Sequence, residues 1–423
     1  MAIATQKTAA ETAYLEGFDA GGDWLSAERQ KGFDAFAVTG LPHRRMEDWK
    51  WTDLRQLIGK AYPPAKGGAV GDIDALAAKS PLKDIARARL TFVNGEYDPG
   101  RSQLPASGDV EVTALSAASS ALSIGETAAD PIDGLNRAYV TDGAFIRIKA
   151  GSNADAPLEL VFINSSATEA TFTTRNVIEL EEGASATVFE THMGGDDAYV
   201  SNSVTEVRLG NGARLDRVKL QLDGAASYHL SNLTADLGAE AKLQDFTLTM
   251  GSATTRQQGF ITFNGEHTDA TVSGAFLLNG KQHSDTRLVV DHKVPNCISR
   301  ELFKCVMDEE ARGIFQGKVV VRQDAQKTDG KQSSHALLLS PAAEFDAKPE
   351  LEIYADDVVC GHGATSGELD ENLLFYLRAR GIPEEKAKSM LISAFVAESF
   401  DDVDNEAVRD VLKDLADSWL AAR

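Results

Sequence analysis

The stretch LEEGASA, Leu180 to Ala186, decides the fold because it comes back. It returns as LGNGARL from Leu209 and as LGAEAKL from Leu237, and FNGEHTDA from Phe263 continues the series. The intervals are 29, 28 and 26 residues. Between the copies, VIELEEG, ATVFETH, VTEVRLG, DRVKLQL and LQDFTLTM alternate apolar and polar residues, the period of half-buried strands. A unit of two short strands and a turn cannot bury its own apolar face, whereas stacked units share a continuous core. A sandwich would show strands without a common repeat length. The expectation is a mainly β chain with a β-solenoid core. Such a core leaves a long sheet edge that must be blunted or paired, and a second, similar chain is one way to pair it.

Working outward, the same alternation reaches back through LELVFIN and FIRIKA to about residue 88. Before it, TAAETAYLEGFDA and DIDALAAKSPLKDIARARL read as helical, with PAKGGAVGD as a loop. The expected regions are therefore 1–87 helical, 88–365 solenoid and 366–423 helical. In the last, SGELDENLLFYLRARG has Ser366 as a candidate N-cap and Gly381 past its end. Pro383 opens PEEKAKSMLISAFVAESF at a position where its missing N–H costs nothing. DNEAVRDVLKDLADSWLAAR carries Val408, Val411, Leu412, Leu415 and Trp419 on one stripe, which either packs on its own domain or docks a partner. Near the N-terminus, HRRMEDWKWTDL sets Trp49 and Trp51 around Lys50, as indole anchors or as a docking surface.

The chain has 423 residues and a formal net charge of −22, which argues against nucleic acid or an anionic membrane surface as partner. No segment approaches the ~20 apolar residues of a membrane span. The start, MAIATQKTAAETAYLEG, lacks the apolar core of a signal peptide. Only three cysteines occur, Cys297, Cys305 and Cys360, too few for a disulfide framework, so a reducing cytoplasm is the expected address. There is no phosphate-binding G-x-x-x-x-G-K-[ST] run, no dinucleotide fingerprint, no C-x-x-C and no G-x-S-x-G elbow, so neither nucleotide hydrolysis nor esterase chemistry is expected of this chain.

One stretch carries chemistry of its own. YADDVVCGHGAT, residues 354–365, places Cys360 and His362 two apart between glycines. On an extended strand the two share a face, roughly 6.5–7 Å apart. Thiolate and imidazole both suit iron or zinc, but two ligands do not close a tetrahedral site. The others would come from a partner chain, a substrate or distant residues. An inert cysteine beside a turn histidine is the alternative, since a free thiol is mostly protonated at neutral pH. Cys297 and Cys305 read as structural, and His292 and His335 as candidates for lining a polar cavity.

The segments GIFQGKV (313–319), AQKTDGKQ (325–332), KPELEIYADDVVCGHGAT (348–365) and FYLRARGI (375–382) together resemble the SufB/SufD family of iron–sulfur cluster assembly proteins. EDWKWTDL (47–54) is similar to the entry segment of its SufD branch. The resemblance implies a right-handed parallel β-helix between helical ends, in a scaffold subunit that is not itself an ATPase. It implies pairing with a SufB-like subunit through the β-helices and docking of a SufC-like ATPase on the C-terminal helices. Sulfur would arrive from a cysteine desulfurase and its relay protein. His362, with Cys360 as second ligand, would hold iron or a nascent Fe–S cluster at the subunit interface, and a homodimer is the expected state without SufB. The sequence carries no reading of a flavin, of cluster type or of cluster recipients. Two other classes stay open: a purely structural adaptor, and a β-helix enzyme acting on polysaccharide, which would need grouped carboxylates that the central region lacks.

Overall fold

The computed structural model describes residues 7–85, 88–105, 108–118, 125, 130–154 and 156–422. The start of the chain and the boundary at residue 87 lie outside the described residues. From Ala88–Val93 to Val359–Gly367 the chain winds as a β-solenoid of about eight turns. From Ala144–Ile148 onward successive strands alternate between a 10-stranded and a 9-stranded sheet, each pairing in parallel with the second strand after it. Before that, Ala88–Val93 pairs antiparallel with Glu96–Tyr97, and Val110–Ala114 antiparallel with Ala144–Ile148. Parallel strands cannot be joined by tight hairpins, so the chain crosses to the opposite sheet before returning.

The repeat marks one physical column. Ile148, Leu180, Leu209, Leu237, Phe263, His292, Val321 and Ile353 stack in register through eight successive rungs. The corner that follows takes a left-handed residue on the six consecutive rungs from Leu180 to Val321: Gly183 and Gly212, then Glu240, His267, Asn296 and Lys327. Its N–H groups bond to the next rung, as from Gly183 to Asn211 and from Glu240 to Glu266, both at 2.8 Å. A non-glycine residue in this conformation costs roughly 1–2 kcal/mol, which the rung-to-rung bonds offset. Hence the glycine signal fades from the sequence while the geometry persists.

Inward residues fill the lumen. Much of it is apolar, including Leu180, Leu209, Leu237, Phe263 and Phe315. The middle rungs instead enclose a polar network. Arg217 bonds both oxygens of Glu190, at 2.8 and 3.0 Å, and lies 2.5 Å from Asp245. Lys219 Nζ lies 2.9 Å from His229 Nε2, and His229 Nδ1 lies 3.0 Å from Asp223. Burial holds the Lys219 ammonium down at about 7 and His229 at about 3.

Helices cover the two outer faces. On the 10-stranded sheet, Ile392, Val396, Val408, Leu412 and Trp419 bury Val218, Leu220, Phe246 and Leu277. The stripe weighed as a docking surface is therefore used inside the chain: Val408 and Leu412 are fully buried. On the 9-stranded sheet, Trp49, Leu54, Ile132 and Leu135 bury Val200 and Leu230. Trp49 is an internal clamp, with the Arg256 guanidinium 4.3 Å from its ring centre, and Asp48 pairs with Arg287 at 2.9 Å. Trp51 remains half-buried beside Lys50.

Three local expectations differ from the structure. Among the described residues, the helix read across DIDALAAKSPLKDIARARL is confined to Ile73–Ala77, and the end of that stretch, residues 88–90, already belongs to the first strand. Asp370, not Ser366, caps the helix Glu371–Arg378, because Ser366 still belongs to the last strand. A helix at Pro131–Tyr139 interrupts the strand-rich region; Asp130 caps it and Pro131 opens it. Its Asn136 and Asp133 hold the fully buried Arg175 of the neighbouring strand.

Candidate functional site

The helices leave one end of the solenoid bare. Its last two strands, Glu344–Ile353 and Val359–Gly367, each end a sheet, so each presents an unpaired edge. Ile353, Tyr354 and Val359 are exposed there. An unpaired strand edge is a template for a partner strand.

Cys360 and His362 lie on the second of these strands. Cys360 is half-buried and packs against the lumen core, and by strand alternation His362 points to the same side, exposed at the mouth. Cys360 pairs in register with Gly330 and His362 with Gln332. A Cβ on Gly330 would make only ordinary contact with the thiol, 3.5 Å from Cys360 Sγ and 3.4 Å from Ser299 Oγ. Burial pushes the Cys360 thiol up, and Asp329 and Glu301 add to it against a Gly330 backbone hydrogen bond. A metal at Cys360 would therefore have to displace a proton. Among the described residues no three His, Cys, Asp or Glu converge to hold an ion. This chain can thus supply a pair of ligands, not a closed site.

Behind the pair lies a residue that the sequence reading passed over. Glu301 pairs in register with Gln332, which pairs with His362, so the three form one inward column ending at the mouth. Neither Glu301 oxygen has a hydrogen-bond partner of normal geometry, nor do both amide atoms of Gln332 or the hydroxyl of Ser334. Burial pushes the Glu301 carboxyl up to about 8, against weaker pulls from the Ser299 hydroxyl and Arg300. Period-two reading of ISRELFKCVM could have found it, because Glu301 shares its face with Phe303 and Cys305.

The remaining candidates fall elsewhere. Cys297 and Cys305 are buried in the lumen core, and burial raises both thiols. His292 is buried, stacked on Phe263 and 3.1 Å from Ser299. His335 lies on the outer face, with Nδ1 2.7 Å from Thr365 Oγ1. Neither lines the small polar cavity of about 50 Å³ around Arg217 and Lys219. A second exposed feature sits on the helices Glu371–Arg378 and Glu384–Ala397, where Leu373, Phe375, Tyr376 and Met390 face outward. No helix among the described residues is long and apolar enough to cross a membrane.

A parallel solenoid with helix-covered flanks and one bare end carries Cys360 and His362 on its last strand. The sequence comparisons give the family. The SufBD core domain of SUF-system FeS cluster assembly matches residues 162–395, and the SufBD N-terminal region matches residues 18–160. The chain belongs to the SufBD family. It is 31% identical to the iron–sulfur cluster assembly protein SufD of Escherichia coli (strain K12), over 93% of this chain and 91% of that protein. It is also 31% identical to a SufBD family protein of Synechocystis, over 90% and 87%, and 27% identical to SufD of Bacillus subtilis (strain 168), over 66% and 64%. The chain is thus a SufD-like component of iron–sulfur cluster assembly.

Proposed function

We propose that this chain is the non-ATPase scaffold subunit of a SufBCD-type complex. It pairs end-on with a SufB-like subunit through Glu344–Ile353 and Val359–Gly367. It presents His362 and Cys360 to the iron or nascent Fe–S cluster that is the assembly's cargo. The observation that carries this reading is the placement of both residues on a bare terminal strand, on the side facing the open lumen. A cargo must be held long enough to assemble and then leave. Ligands divided between two chains allow a rigid-body motion to alter the coordination. ATP hydrolysis belongs to a SufC-like partner, which the exposed Leu373, Phe375, Tyr376 and Met390 support as the docked subunit. Three cysteines without disulfides suit a reducing compartment, the cytoplasm.

Replacing His362 by Ala is expected to leave the co-expressed complex intact and to lower reconstituted cluster yield by about tenfold, the usual loss for a weakened metal site. Unchanged yield, read from iron content and visible absorbance, would reduce the chain to a structural adaptor. Phe375→Glu with Leu373→Glu should weaken retention of the ATPase at least about tenfold, as loss of exposed aromatic anchors does. Undiminished pull-down would move the docking surface off these helices. Charged substitutions at Val408 or Leu412 would instead strip the helices from the solenoid, because both side chains are buried within the chain.

A further inference from the structure

A buried carboxylate needs a proton, a counter-charge or hydrogen bonds. Glu301 is 3% exposed, with no counter-charge in the lumen and no hydrogen bond of normal geometry. The cations nearest in sequence face the other way. Arg300 pairs with Asp329 at 2.6 Å on the outer side of the strand, and Lys304 pairs with Glu398 of the covering helices. Around Glu301 the lumen offers further oxygen donors without partners: the Gln332 amide and the Ser334 hydroxyl, each 1% exposed. Gln332 reaches across the lumen, since a Cβ on Gly317 of the opposite sheet would overlap its amide. It therefore lies as a crossbar between Glu301 and the mouth.

We propose that Glu301 is the carboxylate of an inner divalent-cation subsite, screened from the mouth by the Gln332 side chain. The proposal rests on the reading of His362 as the outer station for iron. The donor set, a single carboxylate with neutral oxygens, suits a hard or borderline divalent cation such as iron(II), and its low charge makes the binding weak. A cation reaches it when Gln332 swings off Gly317. The room that Gly317 leaves for the crossbar is thus part of the site.

The test is manganese(II) binding to the full chain, followed by loss of the free-ion electron paramagnetic resonance signal. Wild type should take up one ion. Glu301→Gln should weaken uptake at least about tenfold while keeping an unchanged circular dichroism spectrum, and His362→Ala should retain it. Equal uptake by wild type and Glu301→Gln, or none by wild type at millimolar manganese, overturns the subsite. Cluster yield with His362→Ala reports separately on the reading beneath it. A lowered yield alongside equal manganese uptake sinks the subsite alone; an unchanged yield alongside uptake dependent on Glu301 sinks the outer station alone.

Discussion

Glu301→Gln should make the isolated chain more stable at neutral pH, not less. The amide has the shape of the carboxyl group and cannot ionise. In the folded chain burial raises the Glu301 carboxyl from 4.5 to about 8, so the native state holds a proton that the unfolded state releases. Stability from this group is fully present below about pH 4.5 and is lost as pH rises through 8. A shift of one unit corresponds to about 1.4 kcal/mol, so the gain on removing the charge is about 3 kcal/mol at pH 7 and close to zero at pH 4. Chemical denaturation of wild type and variant at both values reads it directly. Equal stability at pH 7, or a loss, would mean that the carboxylate is compensated after all. The expected sign matters for function: residues retained at a cost to folding are the ones that serve a site.

Arg217→Ala should have the opposite and larger effect, a loss of about 3–5 kcal/mol, because removing one partner strands buried charge. Burial drives the Glu190 carboxyl up, and the Arg217 charge with its paired hydrogen bonds overcomes it, leaving Glu190 well below its usual range. Asp245 stays raised by burial even with Arg217 beside it. Without the guanidinium both carboxyls lose their main counter-charge in the lumen, leaving Glu190 with His192 and Thr205 and Asp245 with the more distant Lys219, and both are driven to take up protons. The deficit should therefore shrink at pH 4, where protonation is easy, and widen toward pH 8. A urea midpoint that barely moves, or a deficit independent of pH, would show that the network does not hold these rungs together.

What could be read from the chain follows from which interactions are periodic. Leu180, Leu209 and Leu237 sit at nearly constant intervals because each must land on the residue below it, so stacking writes itself into the sequence. The glycines of the corner were legible only at Gly183 and Gly212. At Glu240, His267 and Asn296 rung-to-rung hydrogen bonds tolerate the left-handed backbone without glycine, and the signal disappears. Cys360 and His362 stood out because glycines isolate them in a strand, VCGHGATSG, with no other thiol, imidazole or carboxylate. Glu301 did not: alternation sets it on the face of Phe303 and Cys305, but only its register with Gln332 and His362 shows that this face leads to the mouth. The stripe Val408–Leu412 and the exposed group Leu373–Phe375 look alike on paper. Burial distinguishes them, and burial depends on which helix reaches the sheet.

The sequence by itself determined that rungs stack and that a thiol and an imidazole stand side by side on the last of them, since both depend on spacing along one strand. Only the tertiary structure decided that this strand is left uncovered, that a carboxylate without a counter-charge lies two rungs beneath it, and which apolar helix faces remain free. Those depend on contacts between residues far apart in the chain, where local pattern carries no record of what packs against what.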